Sequence, residues 1–318
     1  MQTQPLGRTE LQVPRLGLGA MTWGEASGLN RFTPAKLAYG GAEGADEEAR
    51  AFHASLAAGV TLFDTAAMYS NGASEQRLGQ LAHGTPALIA TKFPPGLRAT
   101  AEDLPGALAA SLARLGRATI DLYQHHFPSR RVDIAALMGL MADAVEAGTV
   151  RAVGVSNYSA HQLRIAHAAL ADRGIPLASN QVQYSLLHRQ PETDGVLDTC
   201  RELGITLIAY QPLAGGALTG KYLTGTRPRG LRPLMPTFRS RATQATVPVV
   251  ALLNEIGQHH GQDATQVALR WLIQQEGVLP IPGAKNAHQA EANARALTFN
   301  LAPEELQALD SATRTWRT

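Results

Sequence analysis

From Asp46 onward, apolar runs of four to six residues alternate with longer stretches in which apolar residues recur at helical spacing. The runs 60–64 (VTLFD), 87–91 (ALIAT), 120–125 (IDLYQH), 151–155 (RAVGV), 178–182 (ASNQV), 205–209 (ITLIA), 278–281 (VLPI) and 297–300 (LTFN) read as buried strands. Between them the periodicity predicts helices over 46–58, 74–82, 102–115, 133–147, 159–170, 193–203, 264–276 and 286–295. Ile134, Leu137, Met138, Met141 and Val145 illustrate the spacing. Residues 1–18 read as a hairpin, with Leu11, Val13 and Leu16 roughly alternating. An extra helix is expected over about 247–259, before the seventh strand, and a C-terminal helix over 303–313, opened by Pro303 and Glu304. Two Gly-rich, aperiodic stretches, 24–45 and 211–245, read as long functional loops.

Repeated strand–helix units imply a parallel sheet. Eight of them in about 250 residues predict a closed (β/α)8 barrel. The competing doubly wound sheet would place G-x-G-x-x-G after its first strand, and none follows Asp64. The chain is expected to form a single domain over 1–318.

Composition changes this picture in one respect. Apolar residues make up 45% of 318, ample for a core, and the net charge of +2 gives no electrostatic reason to expect a nucleic-acid partner. No apolar run reaches the ~20 residues of a bilayer span, and no signal peptide is visible. Cys200 is the only cysteine, so a reducing compartment is permitted; a cytoplasmic monomer or weak homo-oligomer is expected. The informative detail is lysine. Of 28 basic side chains only four are lysines, at 36, 92, 221 and 285. A lysine here is less readily dismissed as a solubilising residue, although Lys36 has no assigned role.

In a barrel the site lies where the strands end. This chain ends its strands in Asp64, Lys92, His126, Ser156-Asn157, Gln181, Tyr210-Gln211 and Gly283-Ala284-Lys285. Each has a dull alternative: Asn157 as a helix cap, Gln181 as a backbone partner, one of His125 and His126 as structural. As a set they allow one chemistry. No serine sits in a G-x-S-x-G elbow, no H-E-x-x-H occurs, and Cys200 lies in mid-helix. A tyrosine at pKa ~10 is a poor acid at neutral pH, and a buried ammonium beside it lowers that value by stabilising the phenolate. A buried lysine needs a carboxylate. Asp64, Tyr69 and Lys92 therefore read as a tuned general acid for a carbonyl oxygen, with His126 beside them. Carbonyl reduction also needs a hydride, which a nicotinamide supplies and side chains do not. Ser156, Asn157 and Gln181 suit its carboxamide, Tyr210 its ring, and Lys221 and Lys285 its phosphates.

These residues sit in motifs that resemble those of the aldo-keto reductases. The segments are DTAAMYSNGASEQRLG (64–79), ATK ending at Lys92, IDLYQHHFP around His126, GVSN (154–157), NQVQYS (180–185), YQPLAGGALTGKY (210–222) and IPGAKNAHQAEAN (281–293). The likeness runs from Leu16 to about Leu309 and is strongest to the bacterial, plant and channel-β-subunit branches. It implies a hairpin closing the barrel base, NADPH bound without a Rossmann fold, and a tetrad of Asp64, Tyr69, Lys92 and His126. It also implies nicotinamide contacts from Ser156, Asn157, Gln181 and Tyr210, and a pyrophosphate segment at Gln211, Leu213, Gly215 and Lys221. The adenosine 2′-phosphate and adenine end falls to Gly283, Lys285, Gln289 and Asn293. Met21, Trp23, Phe93, Arg98, Phe127 and the 24–45 loop are expected to shape a pocket for an apolar carbonyl substrate.

Several positions depart from the family pattern: Ser70 for a usual Gly, Phe127 for Trp, Gln211 for Ser, Ala292 for Glu, and Lys285 for Arg or Ser. Because channel β subunits keep this fold and cofactor, an NADPH-binding regulatory module is the alternative function. A P-loop reading of GGALTGK (215–221) fails at Tyr222, where Ser or Thr would have to bind Mg²⁺.

Overall fold

The alternating strands and helices close into a barrel. A computed structural model describes residues 3–24, 37, 44–94, 100–129, 131–222, 230–234 and 236–317. Most of the predicted loop 24–45, with Lys36, lies outside these residues, as do Arg98 and part of the loop 211–245.

The hairpin pairs β1 (Thr3–Pro5) with β2 (Gln12–Pro14) in antiparallel register. Eight parallel strands follow: β3 (Leu18–Gly19), β4 (Leu62–Asp64), β5 (Leu88–Phe93), β6 (Ile120–His125), β7 (Val150–Ser156), β8 (Leu177–Gln183), β9 (Thr206–Tyr210) and β10 (Val278–Pro280). Each pairs with its neighbour in chain order. A parallel bridge between Gly19 and Gly283, with Gly17 and Gly19 N–H donating to the Pro280 and Pro282 carbonyls at 3.0 Å, joins first to last.

The strand count is therefore right for a partly wrong reason. Residues 297–300 are not a strand: 295–297 form a 3₁₀ turn, and Thr298 N–H bonds back to the Arg295 carbonyl. The missing member is β3, two residues long and too short to show a period. The extra helix consequently precedes the eighth strand, not the seventh.

The outer layer comprises α1 (Ala45–Ala57), α2 (Ala73–Ala82), α3 (Leu104–Leu115), α4 (Ile134–Glu146), α5 (Ala160–Ala171), α6 (Val196–Leu203), α7 (Ser240–His260), α8 (Ala264–Ile273), α9 (Ala287–Ala294) and α10 (Pro303–Ala312). Local chemistry sets several starts. Asp133 and Asn286 cap α4 and α9, and Ser159 with Gln162 forms a capping box on α5. The extra helix α7 begins seven residues earlier than its pattern predicts and continues through Pro248.

Two apolar clusters result. The larger fills the space between strands and helices. The smaller fills the lower lumen, where Leu62, Ala90, Leu122, Ala152 and Ile208 meet Leu6, Leu11 and Val13 of the hairpin. The hairpin is seated closely. Gly7, at φ +60°, donates its N–H to Thr206 Oγ1 at 2.8 Å, and a Cβ there would stand 2.5 Å from the Ala178 carbonyl oxygen. Among the described residues no helix is long and apolar enough to cross a membrane.

Candidate active site

Side chains on a strand alternate between its two faces, so the residue two positions after a lumenal one is also lumenal. Above Leu62, Ala90 and Leu122 that rule places Asp64, Lys92 and Gln124, and one step further His126 and, on β7, Ser156. A polar layer thus rests on an apolar one at the C-terminal end of the barrel.

Lys92 is its centre. Completely buried, it donates from Nζ to Asp64 Oδ1 at 2.5 Å, to the Thr65 carbonyl at 2.7 Å and to Tyr69 Oη at 3.5 Å. Burial pulls the Lys92 pKa down, but Asp64 and Tyr69 outweigh it and hold the ammonium above its ordinary value. Tyr69 differs from expectation. Burial of the phenol raises its pKa and outweighs the lowering by Lys92, so the net shift is upward. The resting group is a protonated phenol beside a cation.

His126 completes the corner. Its ring meets that of Tyr69 edge to face at 5.7 Å, and the Phe127 ring stacks on it at 4.5 Å. Burial, then Lys92, then His125 push its pKa down to about 2, so the imidazole is neutral. Nδ1 is buried without a hydrogen-bond partner among the described residues. His125 faces the other way, 2.7 Å from the Tyr158 hydroxyl and against Phe93, in the helix-side core.

The four residues predicted as a tetrad therefore come together. Those predicted to contact nicotinamide are also adjacent, and they are bonded to one another. Asn157, left-handed at φ +60°, donates to the His126 carbonyl at 3.2 Å and to Ser156 Oγ at 2.9 Å, and its Oδ1 accepts from Tyr210 Oη at 3.1 Å. Ser156 Oγ donates to the Gln181 carbonyl, and Gln181 Nε2 donates to Asp64 Oδ2 at 2.8 Å.

After β9 the chain turns repeatedly through left-handed conformations, at Gln211, Ala214, Gly215, Gly216 and Gly220, and Lys221 follows. Gln211 accepts from Gln183 Nε2 at 3.3 Å, and Leu213 packs against the core. At the other rim, Lys285 N–H donates to Gln289 Oε1 at 3.0 Å just before α9, and Asn293 Nδ2 to the Gly283 carbonyl at 3.2 Å. A neutral amide and phenol cluster at one place, with cations beside backbone turns at two others, suits the donor set a dinucleotide needs.

Two predicted pocket residues do not line an opening. Trp23 is wholly buried, donates its indole N–H to the Ala284 carbonyl at 2.8 Å and packs on Phe63; Phe93 is buried against His125. Met21 is partly covered and Phe127 is 39% exposed. Met68, 47% exposed and adjacent to Tyr69, is a further exposed apolar residue outside the expected pocket set. Gln124 is a further lumenal residue outside the expected set, although its period-two relation to Leu122 and His126 identifies it.

The Aldo/keto reductase family model matches residues 15–314. An uncharacterized oxidoreductase of Mycobacterium tuberculosis is 38% identical over 309 residues, spanning 96% of this chain and 91% of that protein. The chloroplastic pyridoxal reductase of Arabidopsis thaliana is 36% identical over 323 residues, spanning 96% and 84%. Among solved structures, a glycerol dehydrogenase from Gluconobacter oxydans superposes with a TM-score of 0.83 at 25% identity, covering 99% of this chain and 96% of that one. With the barrel, the strand-end layer and these likenesses together, the chain belongs to the aldo/keto reductase family.

Proposed function

We propose that the protein reduces aldehydes or ketones to alcohols with NADPH, using Tyr69 as general acid. The observation that carries this reading is Lys92 Nζ held by Asp64 and the Thr65 carbonyl, 3.5 Å from the Tyr69 oxygen. When bound, NADPH supplies the hydride. Ser156, Asn157, Gln181 and Tyr210 would hold its nicotinamide end. Gln211, Leu213, Gly215 and Lys221 would hold its pyrophosphate, and Gly283, Lys285, Gln289 and Asn293 its adenosine end. A cation at Lys285 favours the 2′-phosphate of NADPH.

The proton is the protein's contribution. A phenol whose pKa is raised by burial keeps its proton at neutral pH, as an acid for reduction must. As negative charge develops on the carbonyl oxygen the proton leaves Oη, and Lys92 stabilises the phenolate that remains. Asp64 keeps Lys92 charged and in place. Neutral His126 orients the substrate oxygen through a hydrogen bond. Met68 and Phe127 supply apolar surface at the mouth, which supports an apolar carbonyl substrate. The relative named as a pyridoxal reductase makes aldehydes the first class to assay.

Tyr69→Phe tests the assignment. Turnover on a panel of aldehydes is expected to fall by roughly 10²–10⁴-fold, the usual worth of a positioned acid. NADPH affinity, followed by fluorescence, should stay within about twofold. A variant that reduces the panel at the parent rate would remove Tyr69 from the mechanism.

A further inference from the structure

Asp64 is gripped at both carboxylate oxygens. Lys92 takes Oδ1, while the side-chain amides of Gln124 and Gln181 converge on Oδ2 from β6 and β8, at 3.3 and 2.8 Å. We infer that Gln124 is a positioning residue for the proton donor: by donating to Oδ2 it fixes Asp64 so that Oδ1 is left to Lys92. This role rests on the reading of Tyr69 as the acid.

Three features separate it from ordinary core filling. Gln124 is fully buried, and the layer directly beneath it is apolar. Its Oε1 has no hydrogen-bond partner among the described residues, a cost that an aliphatic side chain would avoid. What the amide supplies there is its N–H. The orientation is also determined, because turning the amide over would set Oε1 against the carboxylate. Finally, the neighbouring strand makes room for it. A Cβ on Gly154 would stand 3.0 Å from Gln124 Cγ and 2.3 Å from Ser179 Oγ. Gly154 does not have a positive φ, so its lack of a side chain serves space and not conformation.

The consequence for the acid follows from charge. The titratable and charged groups facing Tyr69 are Asp64 from β4, Lys92 from β5 and neutral His126 after β6. Two neutral donors on Oδ2 disperse the Asp64 charge without cancelling it. Removing one concentrates that charge toward Lys92 and Tyr69, and a more exposed carboxylate makes the phenol harder to ionise. Gln181 remains, so the effect is partial.

The experiment compares the parent with Gln124→Met, which keeps length and loses the donor; Gln124→Leu serves if the first does not fold. The apparent pKa of the ascending limb of kcat in alcohol oxidation with NADP⁺, through which Tyr69 ionises to act as the base, is expected to rise by about 0.5–1 pH unit. Carbonyl reduction at neutral pH should slow by about 3–10-fold, the same shift expressed as a rate. NADPH affinity and the carbonyl KM should stay within about twofold. A limb that stays in place or moves down overturns the inference, even if kcat falls, because a structural role alone would lower kcat without moving the limb. The parent with Tyr69→Phe separates the two claims. If that variant loses turnover while Gln124→Met leaves the limb unmoved, only the positioning role fails. If Tyr69→Phe keeps turnover, the acid assignment fails.

Discussion

Replacing Ser70 by glycine is expected to stabilise the protein by about 1–2 kcal/mol, a gain built from two separable contributions. Ser70 follows Tyr69 at φ 50°, ψ 37°, in the left-handed region. That conformation costs a residue with a Cβ roughly 1–2 kcal/mol, of which glycine gives back about 0.5–1 through its greater freedom in the unfolded chain. The backbone alone thus favours glycine by about 0.5–1 kcal/mol. Ser70 is also buried, and its Oγ has no hydrogen-bond partner among the described residues. An unpaired buried hydroxyl costs about 1 kcal/mol or more, offset in part by the packing its small side chain provides. Ser70→Ala isolates the hydroxyl, because alanine keeps the strain and loses only the oxygen. Thermal unfolding at fixed pH should then show Ser70→Gly melting about 2–4 °C above the parent, with Ser70→Ala between them, at roughly 2 °C per kcal/mol for a chain of this size. A lower melting temperature for Ser70→Gly would refute both contributions. A rise for glycine with a fall for alanine would keep the strain and discard the orphan hydroxyl.

Lys92→Met leaves Asp64 buried without its cation, so a loss of about 3–5 kcal/mol is expected, together with loss of turnover. Adding Asp64→Asn should restore much of the melting temperature and none of the activity. Stability should also fall with acidity through the buried histidines. His126 and His125 have folded-state pKa values lowered from 6.5 to about 2 and about 4, chiefly by burial. Groups with depressed pKa values bind fewer protons folded than unfolded, so their stabilisation is full above about 6.5 and declines as pH drops below it. Near pH 5 the expected slope approaches about 1.4 kcal/mol per pH unit for each histidine, and the His125 share fades as pH nears its folded value of about 4. Replacing His125 by Phe should remove one proton's worth of that slope in a pH series of denaturant melts, and an unchanged slope would contradict the burial of its neutral ring.

Much of this architecture is legible in the chain because buried parallel strands and amphipathic helices leave different periods. The clustering of Asp64, Lys92 and His126 is legible because they stand at the ends of apolar runs, with Tyr69 five residues beyond Asp64, and because lysine is so rare here that Lys92 stands out. Illegible features have physical reasons. Strand β3 has two residues, a single period of alternation and too few to show a repeat. The run 297–300 has strand-like composition, but Thr298 closes a turn on Arg295. Residue type alone sends Trp23 and Phe93 to the pocket, yet aromatic rings bury equally well behind a strand, and only packing decides. The upward shift of Tyr69 is a competition between burial and a nearby cation. Sequence names the cation and is silent on the depth. Ser70 is visible as a departure from a family glycine; its left-handed backbone supplies the reason that position favours one.

The hairpin plug gives the molecule a back and a front. Gln12 lies exposed on β2 beneath the closed end of the barrel, and the polar layer of Asp64, Lys92, Gln124 and His126 lies at the other end. The sole native thiol, Cys200, is buried, and its pKa is pushed up to about 12. A cysteine introduced at Gln12 would therefore be the single readily reactive handle. A maleimide support would capture the protein in one orientation, base down, with the mouth facing the reactor stream.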